Sequence, residues 1–191
     1  MGLKIQEAPG EWIHVLEANR SLLPGAAEGV DALGGLTHAA DPLPVYELSA
    51  RDLVASGGSL SGSGPSAWRS LVHQGGDIIA AMDLENHDGE LEGASSFWGQ
   101  PLKNLLDALD KAAELSASST VHFEVRLVEL SDLLSAAVWL ADPGNSSHDI
   151  VIPWAKGEVD FELFEPVARE SFEMELKSKA SALVAYESID R

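Results

Sequence analysis

The amino-acid sequence predicts an α+β fold, with short, mostly antiparallel strands and the helices segregated from them. Two patterns carry that expectation. Around residue 120 the apolar period changes abruptly from an i, i+3, i+4 stripe to strict alternation. Elsewhere, short apolar runs follow one another across glycine- and proline-rich turns, without the regular strand-helix exchange of a doubly wound parallel sheet. The 191 residues, 45% of them hydrophobic, suit a single domain spanning 1–191 with a core of its own.

Taken in order, Pro9 suits a first helical turn, and Trp12, Ile13, Val15, Leu16, Asn19, Leu22 and Leu23 follow at near-helical spacing. A helix is therefore expected from Pro9 to Leu23, closed by Pro24-Gly25. Ala26 to Pro44 reads as an irregular connection. Val45 to Val54 suits a strand whose end, from Ser49, could turn helical. The segment GGSLSGSGPS at 57–66 is expected to be a flexible loop. Trp68 to His73 and Asp77 to Leu84 read as a hairpin through Gln74-Gly75-Gly76, where glycine supplies positive φ. The acidic stretch from Asp83 to Glu92 is expected to be a loop.

Pro101 opens a helix with Leu102, Leu105, Leu106, Leu109, Ala112 and Ala113 on one stripe. Val121, Phe123, Val125 and Leu127 then alternate with polar residues, as in a half-buried strand. Ala136 to Ala141 and Ile150 to Trp154 supply two further strands, separated by the turn Asp142-Pro143-Gly144-Asn145. A last helix is expected from Pro166, burying Val167, Ala168, Ser171, Phe172, Leu176, Ala180 and Leu183, with residues 182–189 compatible with helix or strand. The resulting order is α-βββ-α-βββ-α. It suggests two similar halves at 45–117 and 119–185, although no residue-by-residue repeat is visible between them.

Composition narrows the chemistry. Thirty-one acidic residues against 12 basic ones give a net charge of −19. Phosphate binding draws its free energy from Lys and Arg, so neither nucleic acid nor an anionic membrane is an expected partner. A protein partner with a basic patch fits the surface field, and self-association into a homo-oligomer is compatible with it. The absence of cysteine excludes disulfides, thiolate nucleophiles and cysteine-bound metal centres. No leader-like segment and no apolar run of membrane-spanning length is visible, and the expected location is the cytoplasm.

Several groups of residues invite a functional reading. Gly57 and Gly62 have the outer spacing of a phosphate loop, but Ser63 and Gly64 stand where lysine and a hydroxyl residue are needed. No G-x-S-x-G esterase turn is present. Asp83, Glu85, His87 and Asp88 gather oxygen and imidazole donors that could hold a divalent cation weakly. Their register around Gly89 does not match a helix-loop-helix calcium site, and a solvated acidic loop is the commoner meaning. His122, Glu124 and Arg126 fall on one face of the expected strand, where they could bind a ligand or move a proton. Cross-strand pairing on a wet sheet face is the usual role of such a row.

The five tryptophans suit core packing, with any exposed one, Trp68 or Trp98 being the candidates, marking a binding patch. No cofactor is implied. A non-catalytic protein-binding or accessory module, of the chaperone, adaptor or immunity-protein kind, is the leading expectation. The alternatives are a hydrolase or other small-molecule enzyme with a loop-built site, and a structural subunit of an assembly.

Overall fold

A computed structural model describes residues 3–23, 36–38, 42–60, 64–74, 76–87 and 90–189. Among them are four α-helices and ten β-strands in mostly antiparallel pairing, an α+β architecture. The strands are β1 (Lys4–Ile5), β2 (Leu36–His38), β3 (Leu43–Glu47), β4 (Ala67–Gln74), β5 (Asp77–His87), β6 (Glu90–Phe97), β7 (Glu124–Leu130), β8 (Ser135–Ala141), β9 (Ile150–Ala155) and β10 (Val167–Ala168). The helices are α1 (Trp12–Ala18), α2 (Ala50–Ala55), α3 (Gln100–Ser118) and α4 (Arg169–Ile189). The chain order thus contains more elements than expected. Residues group into two compact units, one from Met1–Lys4, Tyr46–Gly64 and Asn104–Arg191, the other from Ile5–Val45 and Pro65–Lys103.

In the first unit, β7, β8, β9 and β10 are hydrogen-bonded in that order. Every residue of β8 is buried, which is why its run of apolar letters does not alternate. Ala137, Trp139 and Ala141 of β8 pack with Leu53 of α2 and with Phe172, Leu176 and Ala180 of α4 in one cluster. These α4 positions recur at four-residue steps, so one helical stripe meets the sheet. Full burial of a leucine such as Leu53 or Leu176 contributes roughly 1.5–3 kcal/mol. Of the stripe expected in α3, Leu102, Leu105 and Ala112 are buried, Leu106 and Leu109 half-buried and Ala113 exposed, and Ala108 joins the buried side. The Asn104 side chain ties that helix to β9 by donating to the Trp154 carbonyl at 3.2 Å.

Some boundaries differ from the sequence expectation for identifiable reasons. β7 begins at Glu124, three residues after Val121. Residues 167 and 168 pair with Val151 and Ile150 of β9, so α4 starts after them, at Arg169, and runs on through 182–189 as helix. The strand expected over 45–54 is β3 followed by α2, whose N-terminus is capped by the Ser49 hydroxyl accepting from the Asp52 N–H at 3.1 Å.

The glycine-rich segment expected to be flexible is partly a helix cap. Gly57 lies at φ 73. The Gly58 N–H reaches back to the Leu53 carbonyl at 2.6 Å and the Gly57 N–H to Val54 at 3.3 Å, the pairing of a Schellman motif that needs glycine at the left-handed position. Leu60 then enters the core at 1% exposure. Residues 61–63 lie outside the described residues.

In the second unit, β3, β4, β5 and β6 follow in hydrogen-bonded order, with β2 also on β4. Trp12, Leu16 and Leu23 pack against Trp68, Val72, Ala80, Met82 and Leu84. Helix α1 is shorter than the expected Pro9–Leu23. Both the main-chain and side-chain N–H groups of Asn19 take the Val15 carbonyl, and a 3₁₀ turn at 20–22 follows. Within the acidic stretch expected to be a loop, residues 83–87 end β5 and residues 90–92 begin β6, with Glu85 paired across to Glu92 and His87 to Glu90. Its charges are tolerated because one face of an antiparallel sheet can remain in water. Most of the connection expected over 26–44, Gly75 of the hairpin, and Asp88 and Gly89 lie outside the described residues.

Candidate functional site

The first unit holds a network of charges around one buried indole. Period-two geometry places Glu124 and Arg126 on the same face of β7, and register sets Arg126 opposite Trp139 of β8. The Arg126 guanidinium carbon lies 4.6 Å from the Trp139 ring centre and 5.6 Å from that of Tyr46. Its Nη2 donates to Glu124 Oε2 at 3.0 Å, and Lys4 Nζ donates to the other carboxylate oxygen at 3.4 Å. His122, expected in the same row, precedes the strand and is exposed. The row therefore contributes an ion pair over aromatic rings.

Trp139 is 1% exposed, and its indole N–H donates to Asp149 Oδ2 at 2.9 Å. Asp149 Oδ1 accepts from the Asp142 main-chain N–H at 2.7 Å, and Arg169 Nη1 donates to Oδ2 at 3.1 Å. Arg169 Nε donates in turn to Glu173 Oε1 at 2.9 Å, an oxygen that also accepts from Leu60 N at 2.8 Å. Burial works against the charge of Arg169, but its bonds to Asp149 and Glu173 outweigh that and raise its pKa. Three cations, Lys4, Arg126 and Arg169, face three carboxylates, those of Glu124, Asp149 and Glu173. Each carboxylate is occupied by fixed donors, so this network holds β7, β8 and α4 together.

Burial opposes ionisation of Glu124, yet the hydrogen bonds and charges of Arg126 and Lys4 hold its carboxyl below the ordinary value. A carboxyl with a depressed folded-state pKa contributes stability above its unfolded value and loses it as pH falls through the folded one. The Glu124→Gln variant is expected to lose about 1 kcal/mol at pH 7. It should match the parent once pH falls to ~2, where both carry an uncharged side chain. Urea titrations at the two pH values check this. An equal loss at both would mean that the charge of Glu124 plays no part.

In the second unit the tryptophan candidates separate. Trp68 lies in the core at 4% exposure, whereas Trp98, directly after β6, is 51% exposed. Asp83 is committed elsewhere than to a cation. Arg69 grips it with a two-point fork, Nε to Oδ1 at 2.7 Å and Nη2 to Oδ2 at 2.8 Å, while the Ser95 hydroxyl donates at 3.2 Å. Arg69 is itself 2% exposed and lies over Phe97 at 4.7 Å. Glu85 is exposed on the same strand, His87 closes it, and Asp88 lies outside the described residues. Among the described residues no group of three or more His, Asp or Glu is placed to hold a metal ion.

The second unit also carries an open groove of about 440 Å³ between α1 and β6, lined by Glu11, His14, Val15, Leu91, Glu92 and Gly93 among others. An adjoining hollow shares Glu11, Val15 and Leu91 and extends to Pro9 and Glu90. Glu11, Glu90 and Glu92 are exposed at its rim, and Val15 and Leu91 are half-buried in its floor. Close approach of the helix requires glycine at 93, because a Cβ there would overlap the Asn19 side chain. No protein-family model, curated protein or solved structure matches this chain.

Sequence reasoning missed this groove. The available signal was the alternation Glu90-Leu91-Glu92-Gly93, strand grammar hidden inside an acid-rich stretch. No helix among the described residues is long and apolar enough to cross a membrane.

Proposed function

We propose that this protein is a non-catalytic binding module that holds a basic, partly apolar segment of a partner protein in the groove between α1 and β6. The observation that supports this reading is the groove itself, an apolar floor of Val15 and Leu91 bordered by the exposed residues Glu11, Glu90 and Glu92. A net charge of −19 draws cationic segments towards such a rim and repels anionic ones. The floor gives apolar side chains somewhere to leave water, which a purely charged surface lacks.

The probe is a peptide of about 12 residues with alternating lysine and valine, followed by amide chemical shifts at ~0.1 M salt. Shifts concentrated on residues 9–19 and 90–98, weakening as salt rises, are expected. Glu90→Lys together with Glu92→Lys should weaken binding at least about tenfold, on the order of 1.4 kcal/mol. A peptide with glutamate in place of lysine should not bind. Absence of binding, or shifts scattered over the whole surface, would refute the proposal.

A further inference from the structure

We infer that the groove reads the free amino terminus of its partner, seating the α-ammonium group at the end bounded by Asn19 and Gly93 and leading the next residues out past Pro9 and Glu90. This rests on the proposed binding role of the groove and names the part of the partner that occupies it.

The groove is closed at one end. Its lining residues match up along its length, Pro9, Gly10 and Glu11 with Glu90 and Leu91, then Val15, Ala18 and Asn19 with Leu91, Glu92 and Gly93. α1 and β6 therefore run in the same direction beside it. At the far end they meet, because a Cβ on residue 93 would overlap the Asn19 side chain. Further along the same two segments, the Ser96 hydroxyl donates to the Leu22 carbonyl and ties them a second time. A chain lying in such a trough must either stop at the closed end or turn out of it, and a terminus stops without a turn.

The chemistry of the closed end selects an amine over a carboxylate. The Asn19 side-chain nitrogen donates to the Val15 carbonyl at 2.9 Å. An amide carries its oxygen on the other branch, so what Asn19 offers a ligand is an acceptor. α1 also ends there, at Ala18, and the carbonyl end of a helix carries partial negative charge. Glu11 and Glu92, both exposed, line the same groove. An ammonium group complements all of these, whereas a terminal carboxylate would meet acceptors and like charge. Capture of a terminal amine is a recurring mode of peptide recognition. The helix flank from Glu11 to Asn19, at about 1.5 Å per residue, covers about 12 Å, the length of about four extended residues. Val15 and Leu91 lie within that span, so an apolar side chain among the partner's first residues can leave water there.

The test uses alternating lysine-valine peptides at pH ~6.5, where an α-amino group is charged. Acetylating the amino terminus should weaken binding roughly tenfold. Acetylating the side chain of the last lysine removes the same charge far from the closed end and should cost less than about twofold. A spin label on the fifth residue of the peptide should broaden the amide signals of Gly10 and Glu90 and spare those of Asn19 and Gly93. Asn19→Leu should abolish the preference for a free terminus, and Asn19→Asp, which keeps an acceptor and adds charge, should enlarge it. Equal losses from the two acetylations, with shifts still confined to residues 9–19 and 90–98, would overturn recognition of the terminus while leaving the groove as the binding face. Broadening of Asn19 by the label would reverse the seating and overturn the inference as well. Failure of all basic peptides to bind would remove the groove reading and this inference together.

Discussion

Asp149→Ala is expected to destabilise the first unit by about 3 kcal/mol, measured by urea titration with hydrogen exchange followed on β8 and α4. The aspartate is 4% exposed and serves three donors, the Trp139 indole N–H, the Asp142 main-chain N–H and Arg169 Nη1. Alanine would strand the indole N–H in the core and leave the guanidinium with Glu173 as its remaining carboxylate partner. Asparagine should recover only part of the loss. Its one oxygen can serve Trp139 and Arg169, but its amide then turns a donor towards the Asp142 N–H. Combining Asp149→Ala with Trp139→Phe should cost less than the sum of the two, by about 1 kcal/mol, because the pair shares one hydrogen bond. A loss below about 1 kcal/mol for Asp149→Ala alone would show that the carboxylate is not holding the network.

That network also marks where reading a sequence stops. The stripes of α3 and α4 and the apolar runs of β8 and β9 were visible because each element buries one continuous set of letters. Trp139 and Asp149, by contrast, are brought together by the turn at 142–149, and Arg126 meets Trp139 through the register of β7 on β8. Neither relation leaves a spacing rule in one dimension. The row His122, Glu124, Arg126 was legible as a polar alternation, but strand ends depend on hydrogen-bonding partners, and His122 falls before the first one.

Strand β6, last of its sheet among the described residues, was hidden by its own exposure. With one face in water and carboxylates on it, its composition resembles a loop, and only the pairing with β5 distinguishes the two. The cap at Gly57 and Gly58 was obscured in the same way, since low complexity suggests flexibility until the preceding helix is recognised. Trp68 and Trp98 show the remaining difficulty. Both follow apolar neighbours in the sequence, yet one is enclosed and the other lies in solvent.

Among the described glycines, Gly157→Ala should be the most damaging added methyl group, with an expected loss of about 3–5 kcal/mol. Two costs coincide there. The residue sits at φ 48, in the left-handed region where any Cβ is disfavoured. A Cβ would also collide with the main-chain carbonyls of Leu133 and Leu134, which cannot swing aside as a flexible side chain could. The first of these carbonyls is already fixed. The Leu133 carbonyl accepts from the Glu158 N–H at 3.0 Å and from the Ser135 hydroxyl at 3.0 Å, and that hydroxyl also contacts the Lys156 carbonyl at 2.9 Å. Moving the turn after β9 would therefore break bonds that join it to the turn before β8.

Gly76→Ala isolates the first cost, because Gly76 lies at φ 99 with nothing within 4 Å of an added Cβ. It should lose only about 1–2 kcal/mol. The difference between the two variants, read from urea midpoints at constant slope, measures the steric part alone. Equal losses would mean that the chain at 133–134 yields to the new methyl group, and that the two turns are not locked against each other.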